Sequence, residues 1–312
     1  MKILIWHVHG SWMTAFVQGR HDYLVPVLPG RGADGRGRAV TWDWPPSVIE
    51  VTPEQLADAP VDVAIVQRPV ELETLAAQWL GGRRLGRDVP VIYLEHNAPQ
   101  GRIAEMRHPA ADRSDLTIVH VTHFNALFWD TGSTPTRVIE HGIVDPGPLY
   151  TGELRRAAVV INEPSRRGRV TGTDLLPTLG AQVPIDLFGI GAGALGGYEN
   201  FRQERLHAEM ARRRVYVHPF RWTSLGLALI EAMHLGMPVV ALAATEAPEA
   251  VPPEAGIVST SVDTLRAGLR RLVDDPEEAR VMGKAARAAA LSRYGLRRFL
   301  GDWDALLAEI AR

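Results

Sequence analysis

Glu231 and His234 are the polar side chains in an otherwise apolar run from Leu225 to Leu235. An ionised carboxylate in such surroundings is costly unless something binds it. The run reads as a helix. Thr223 or Ser224 is a suitable N-cap, and Gly236 followed by Pro238 supplies a stop. A strand, "RRVYVHPF" (213–220), comes just before it, so the helix's free N–H groups lie at a strand's carboxyl end, where open α/β sheets bind ligands. Those N–H groups and the helix dipole favour an anion such as a diphosphate, and Gly226 leaves room for a phosphate to approach. Glu231 follows Leu225 by six residues, ~9 Å along the axis. That span is comparable with the reach from a diphosphate to the ribose of the same nucleotide, whose vicinal diol a carboxylate accepts well. The competing structural reading is an ion pair between Glu231 and one of the many arginines.

Three further groups could do chemistry. "RRGR" (166–169) follows a strand and is expected to be a loop facing a ligand anion. "GAGALG" (191–196) has the letters of a dinucleotide fingerprint, but "GYENF" after it is a poor helix start, so a tight strand-end turn is expected. His120 and His123 are three apart, a spacing that suits a metal only on a helix. They fall on a strand and its end without an acidic neighbour, so no metal site is expected.

These residues need elements to hold them. "KILIWHV" (2–8), "DVAIVQR" (62–68), "PVIYLEH" (90–96), "LTIVHVT" (116–122) and "TRVIEHG" (136–142) read as strands, with a helix over 71–82. The pattern restarts at "RAAVVINEP" (156–164), "PIDLFGIG" (184–191), "RRVYVHPF" and "MPVVALAA" (237–244), with helices over 172–180 and 223–236. Strands buried on both faces and separated by helical crossovers imply doubly wound parallel sheets. "DPGPLYTGE" (145–153) is a natural linker. Two Rossmann-like domains are expected, 1–150 and 151–295, facing each other across a cleft, with a final helix over 296–312 returning to the first.

Composition sets the outer bounds. The 312 residues are 46% hydrophobic and 22% charged with net charge −2, which argues against a nucleic-acid footprint. There is no cysteine, hence no disulfide or thiolate chemistry. No apolar run reaches the ~20 residues of a membrane span, and the N-terminus is unlike a signal peptide. A cytoplasmic protein is expected, with Arg212-Arg213-Arg214 as the place for any peripheral membrane contact.

"PFRWTSLGLALIEAMHLGMPVVA" (219–241) resembles the signature of retaining glycosyltransferases of the GT-B fold, family 4. "HDYLVPVLP" (21–29), "VIYLEHN" (91–97), "RVIEHGIVDPG" (137–147), "GTDLLPTL" (172–179) and the tail from "AGIVST" (255–260) follow the family's order. The resemblance implies an α/β GT-B fold and transfer of a sugar from a nucleoside-diphosphate sugar to an acceptor hydroxyl with retained configuration, without metal or cofactor. It implies that Glu231 binds the donor ribose and that the backbone at Leu225, Gly226 and Leu227 meets the phosphates. Thr223 and Ser224 accompany them, as does Gly189 at the end of the 184–191 strand. His96 matches a histidine near the donor sugar, and Gly10 the glycine loop after the first strand. Arg166, Arg167 and Arg169 are candidates for the cations that neutralise the diphosphate, because Thr171 stands where the family has lysine. Thr223 replaces the first of the family's two signature glutamates, and Phe220 the usual serine. The chain is short for the family, which implies trimmed acceptor loops. A non-transferring protein that binds a nucleotide sugar is the alternative, and a nicotinamide oxidoreductase built on 191–196 a more distant one.

Overall fold

The computed structural model of the chain describes residues 1–311. They form two compact units. The first is Met1–Gly142 with the segment from Leu296 onward, and the second is Ile143–Gly295.

In the first unit the strands are β1 (Lys2–Ile5), β2 (Asp22–Pro26), β3 (Val48–Val51), β4 (Val63–Val66), β5 (Val91–Glu95), β6 (Leu116–His120) and β7 (Thr136–Val138). The helices are α1 (Gly10–Phe16), α2 (Pro53–Asp58), α3 (Ala76–Trp79) and α4 (His123–Phe128). The strands pair in parallel in the order β3-β2-β1-β4-β5-β6-β7. β4 and β5 are buried along their whole length, as strands covered on both faces must be. The helix expected over 71–82 is in part a π-turn, Glu71–Leu75, leading into α3. There the buried Glu71 carboxylate accepts from Gln67 N at 2.6 Å and from Arg68 Nε at 2.6 Å. The sheet order reverses between β1 and β4.

The second unit holds β8 (Leu154–Val160), β9 (Ile185–Phe188), β10 (Arg213–His218), β11 (Val239–Leu242) and β12 (Gly256–Ser259). Its helices are α5 (Pro164–Thr171), α6 (Leu176–Leu179), α7 (Gln203–Arg212), α8 (Leu227–Leu235), α9 (Ala247–Ala250), α10 (Val262–Asp274) and α11 (Pro276–Tyr294). The parallel order is β12-β11-β10-β8-β9, with its reversal between β8 and β10. Apart from Glu231 and His234, α8 is apolar all round, and it is buried from Leu229 to Leu235, the pattern of a helix inside a core. Gly236 ends it in the left-handed conformation (φ 89°), which glycine adopts without steric cost. The approach of α11 is close: a Cβ on Gly283 would lie 2.0 Å from the Gly236 carbonyl oxygen.

α12 (Leu296–Ile310) packs in the first unit. The Trp303 ring meets those of Trp12 and Phe16 at 5.5 and 5.0 Å, and Arg298 donates to the carbonyls of Glu140 and His141.

Two expectations are revised. The division falls at Gly142/Ile143 rather than at 150, because the Pro/Gly segment is pinned to the second unit. Tyr150 N donates to Leu235 O at 3.1 Å, and Thr151 N to Ala211 O at 3.0 Å. The helix expected from Thr223 begins at Leu227, with Gly226 as a cap that has no side chain to offer. Among the described residues no helix is long and apolar enough to cross a membrane.

Candidate functional site

A doubly wound sheet binds ligands outside the carboxyl ends of its strands, where the order reverses. In the second unit that place is flanked by α5 after β8 and by the 219–227 segment after β10. α5 is a helix, not the loop expected for "RRGR". Pro164 opens it, which proline does without losing a needed N–H, and it bends at Gly168 (φ 33°, ψ −106°). Its C-terminal end docks on the 219–227 segment. Arg221 N and Trp222 N both donate to Val170 O, at 3.0 and 3.2 Å. A Cβ on Gly172 (φ +73°) would lie 2.0 Å from Pro219 O. The N-terminal end is tied to the β9 turn. Glu163 N donates to Ile190 O at 2.7 Å and Ile190 N to Asn162 Oδ1 at 2.9 Å. Gly189 (φ +136°) lies so close to Ile161 O that a Cβ would be 2.2 Å away. Gly189, the arginines and the 219–227 segment are thus brought to one end of one sheet.

The arginines differ in what they already hold. Arg166 is exposed and ion-paired with Glu163. Arg169 lies 3.6 Å from Asp174, a carboxylate that also takes Arg221 in a two-pronged contact. Arg167 is half-buried, and among the described residues no carboxylate lies within ion-pair distance of it. Burial, reinforced by the neighbouring Arg166 charge, pushes its guanidinium below the ordinary arginine range. Thr171 is fully buried, with its hydroxyl 3.3 Å from Gly168 O and 3.1 Å from Thr173 Oγ1. It therefore offers a ligand nothing, in place of a lysine that would have reached out.

Along the 219–231 segment, Ser224 and Leu225 are buried. The Thr223 hydroxyl is buried and has no hydrogen-bond partner among the described residues. Gly226 has a packing reason to be glycine besides room for a phosphate: a Cβ there would be 2.8 Å from Cε1 of His218. The His218 ring is stacked on Phe220 at 4.4 Å. The first-turn N–H groups of α8 have no acceptor within the helix. Glu231 is four residues past Leu227, ~6 Å along the axis, shorter than a start at Leu225 implied. It is buried, and no arginine among the described residues pairs with it. Its neighbours are Gln203, whose Nε2 donates to Oε1 at 2.9 Å, and His207, whose Nε2 is 3.5 Å from Oε2. Burial, with the Glu231 charge adding to it, pushes the Tyr216 phenol up. Both Gln203 and His207 stand on α7, which sequence reading missed. The inward positions Leu206, His207, Met210 and Ala211, spaced as on one helix face, were the signal that could have found it.

His96 and Gly10 belong to the first unit, near its own reversal point. His96 Nε2 is 3.0 Å from Gln67 Oε1, while Gln67 Nε2 donates to Trp6 O at 2.7 Å. The amide oxygen must therefore accept, which places the proton on His96 Nε2 and leaves Nδ1 a lone pair. Burial holds this ring well below the usual imidazole range, with the His9 ring 4.0 Å away. The space over Gly10 is occupied: a Cβ there would be 2.5 Å from the Trp42 ring, so this glycine admits an indole rather than standing open.

The remaining motifs are structural. "GAGALG" forms a 3-10 turn, Ala192–Leu195, between left-handed Gly191 and Gly196, and the next helix starts only at Gln203. A fingerprint must open a helix, which this run does not. His120 is fully buried and His123 exposed, and no group of three potential metal ligands exists among the described residues. The Arg212-Arg213-Arg214 charges are engaged internally, on Glu153, on Asp186 and Glu209, and on the Val273 carbonyl. They are not free for a membrane surface.

Several buried rings are held neutral. Burial lowers His120 to about 4 and His218 to about 3. The unfolded chain, with imidazoles near 6.5, binds more protons than the folded one below that pH. Stability is therefore complete above pH ~6.5 and falls toward pH ~4, by about 1.4 kcal/mol per pH unit for each such ring. Urea denaturation at pH 7.5, 5.5 and 4.5 should show this slope, and His120→Phe should flatten it. Equal slopes for the two proteins would contradict a neutral buried His120.

The fold is that of GT-B glycosyltransferases, as the solved structures show. Sucrose-phosphate synthase from Thermosynechococcus elongatus superposes with TM-score 0.73 at 14% identity, covering 99% of this chain and 98% of that one. Anabaena HepE in complex with UDP-glucose gives TM-score 0.69 at 16% identity, covering 99% and 100%. Residues 197–289, from the β9 turn through α7, β10 and α8 into α11, match the family described as "Glycosyl transferases group 1". Two curated relatives agree. The GDP-mannose-dependent monoacylated alpha-(1-6)-phosphatidylinositol monomannoside mannosyltransferase of Corynebacterium glutamicum is 32% identical over 45% of this chain. The MMP alpha-(1->4)-mannosyltransferase of Mycolicibacterium hassiacum is 36% identical over 34% of it. The matches span 31% and 25% of those proteins' own lengths. The likeness to glycosyltransferases read from 219–241 is borne out.

Proposed function

We propose that this chain is a retaining, metal-independent glycosyltransferase that moves a hexose from a nucleoside-diphosphate sugar to an acceptor hydroxyl. The observation that carries the reading is the convergence at the β8/β10 reversal point. A half-buried cation with no carboxylate at ion-pair distance among the described residues (Arg167), the start of α8 and the helix that carries the buried Glu231 follow the two strands at the end of the sheet where nucleotides bind. As the bond from the sugar to the diphosphate breaks, negative charge grows on the leaving group. Fixed N–H donors and Arg167 aimed at that charge lower the barrier without reorganising. Glu231 holds the ribose; in the first unit, the neutral His96 ring keeps Nδ1 as a proton acceptor. The two mannosyltransferase relatives, one GDP-mannose-dependent by name, support GDP-mannose as the first donor to try.

The unpartnered Thr223 hydroxyl, where the family has a glutamate, favours one second reading, a protein that binds a nucleotide sugar without transferring it. Titration with GDP-mannose and UDP-glucose, followed by assay of released nucleoside diphosphate, separates the two. A transferase binds and releases diphosphate when an acceptor is added, whereas a binding protein leaves the donor intact. Absence of binding to either donor would overturn both readings.

A further inference from the structure

Gln203 Nε2 makes two contacts at 2.9 Å, to Glu231 Oε1 and to His207 Nε2. The hydrogens of this trio follow from elementary bonding. The Glu231 carboxylate accepts, so the group facing it must be the amide nitrogen of Gln203. Turned over, the amide oxygen would stand 2.9 Å from a carboxylate oxygen with no proton between them. The second amide hydrogen then goes to His207 Nε2, which accepts and so carries no proton of its own, leaving Nδ1 as the ring's N–H. His207 Nε2 is also 3.5 Å from Glu231 Oε2. That is beyond a hydrogen bond, and in this tautomer it has no hydrogen to give. One carboxylate oxygen is therefore anchored, and Oε2 keeps its lone pairs free of any protein donor among the described residues.

The anchor is itself held. Gln203 and His207 are four apart on α7 and so share one face. His207 and Glu231 are buried. A buried carboxylate with one oxygen fixed and the other unclaimed is built to receive a donor from outside the protein.

We propose that Gln203 and His207 are a positioning pair, which locks Glu231 Oε1 so that Oε2 faces the ribose diol of the nucleotide. Through this pair α7 takes part in choosing ribose over deoxyribose. The inference rests on the ribose-binding reading of Glu231 and extends it to two residues that touch no ligand themselves.

The test is equilibrium binding of GDP and UDP, each beside its 2′,3′-dideoxy form, to wild type, Gln203→Met, His207→Leu and His207→Gln. Gln203→Met keeps the side-chain volume but loses the amide. It should cut the ribo-over-dideoxy preference at least fivefold, while affinity for the dideoxy form changes less than twofold. His207→Leu should do the same. His207→Gln, whose amide oxygen can accept where Nε2 did, should restore most of the preference. A preference unchanged in both Gln203→Met and His207→Leu, with melting temperatures near wild type, overturns the positioning pair while leaving Glu231 as the ribose ligand. Wild type that does not distinguish ribo from dideoxy forms, or binds neither nucleotide, overturns the ribose reading itself.

Discussion

Arg167→Ala lowers kcat/KM for sugar transfer by about 10²–10³-fold, the usual loss when one fixed donor to a developing charge is removed. The expectation follows from what its neighbours already hold. Arg166 is exposed and paired with Glu163, and Arg169 shares Asp174 with Arg221. Arg167 is the half-buried member of the three, and its desolvation pushes the guanidinium down. A cation kept partly out of water without a counter-ion is unfavourable by itself, and a diphosphate would relieve it. Arg166→Ala, by contrast, removes an exposed pair of small worth and should change kcat/KM only a few fold. The fall at Arg167 should appear in kcat as well as KM, because the charge it meets is larger in the transition state than in the bound donor. Steady-state kinetics of the two variants check this. Equal, small effects would remove Arg167 from the diphosphate.

Glu231→Ala should weaken nucleotide binding tenfold or more, with about 1.5–3 kcal/mol lost for each charge-assisted hydrogen bond to the ribose. Glu231→Gln keeps the shape and one acceptor and should lose less. The Ala variant should also be less stable, since it strands Gln203 Nε2 and leaves a cavity beside His207. Stability alone does not decide the matter. The deciding quantity is the preference for ribo over 2′-deoxy nucleotide, which wild type should show and Glu231→Ala should lose. A folded Glu231→Ala protein that keeps the preference would make Glu231 a structural partner of α7 and nothing more.

The fold was legible wherever burial leaves a plain mark in the sequence. The wholly apolar β4 and the largely apolar β5 and α8 are read directly, because segments hidden on both faces, or all round, are the ones that carry so few polar residues. The start of α8 was misplaced because Thr223 and Ser224 are good caps in isolation. Docking of Arg221 and Trp222 on Val170 keeps that stretch out of the helix, which begins after Gly226. "RRGR" reads as a loop because it combines glycine with charge, yet Pro164 sets a helix that tolerates the glycine as a bend. Thr171 and Gly10 show the limit of transfer by resemblance. One side chain is fully buried and the other position lies beneath Trp42, and neither fact is visible until the chain is folded. Glu231 was found because a carboxylate in an apolar helix is conspicuous. Its partners Gln203 and His207 were not, because they lie 28 and 24 residues upstream on a separate helix, and only the tertiary fold joins them to Glu231.

The anomeric configuration of the transferred sugar separates retention from inversion, and its formation separates transfer from binding alone. Wild type would be incubated with GDP-α-mannose, and in parallel UDP-α-glucose, with methyl α-mannoside as a small hydroxyl acceptor. Product is followed by proton NMR of the anomeric region together with assay of released nucleoside diphosphate. The expected result is an α-linked product from at least one donor, with one nucleoside diphosphate released per bond formed and both slowed about 10²–10³-fold in Arg167→Ala. A β-linked product would contradict retention, and a donor that binds yet stays intact with acceptor present would contradict transfer.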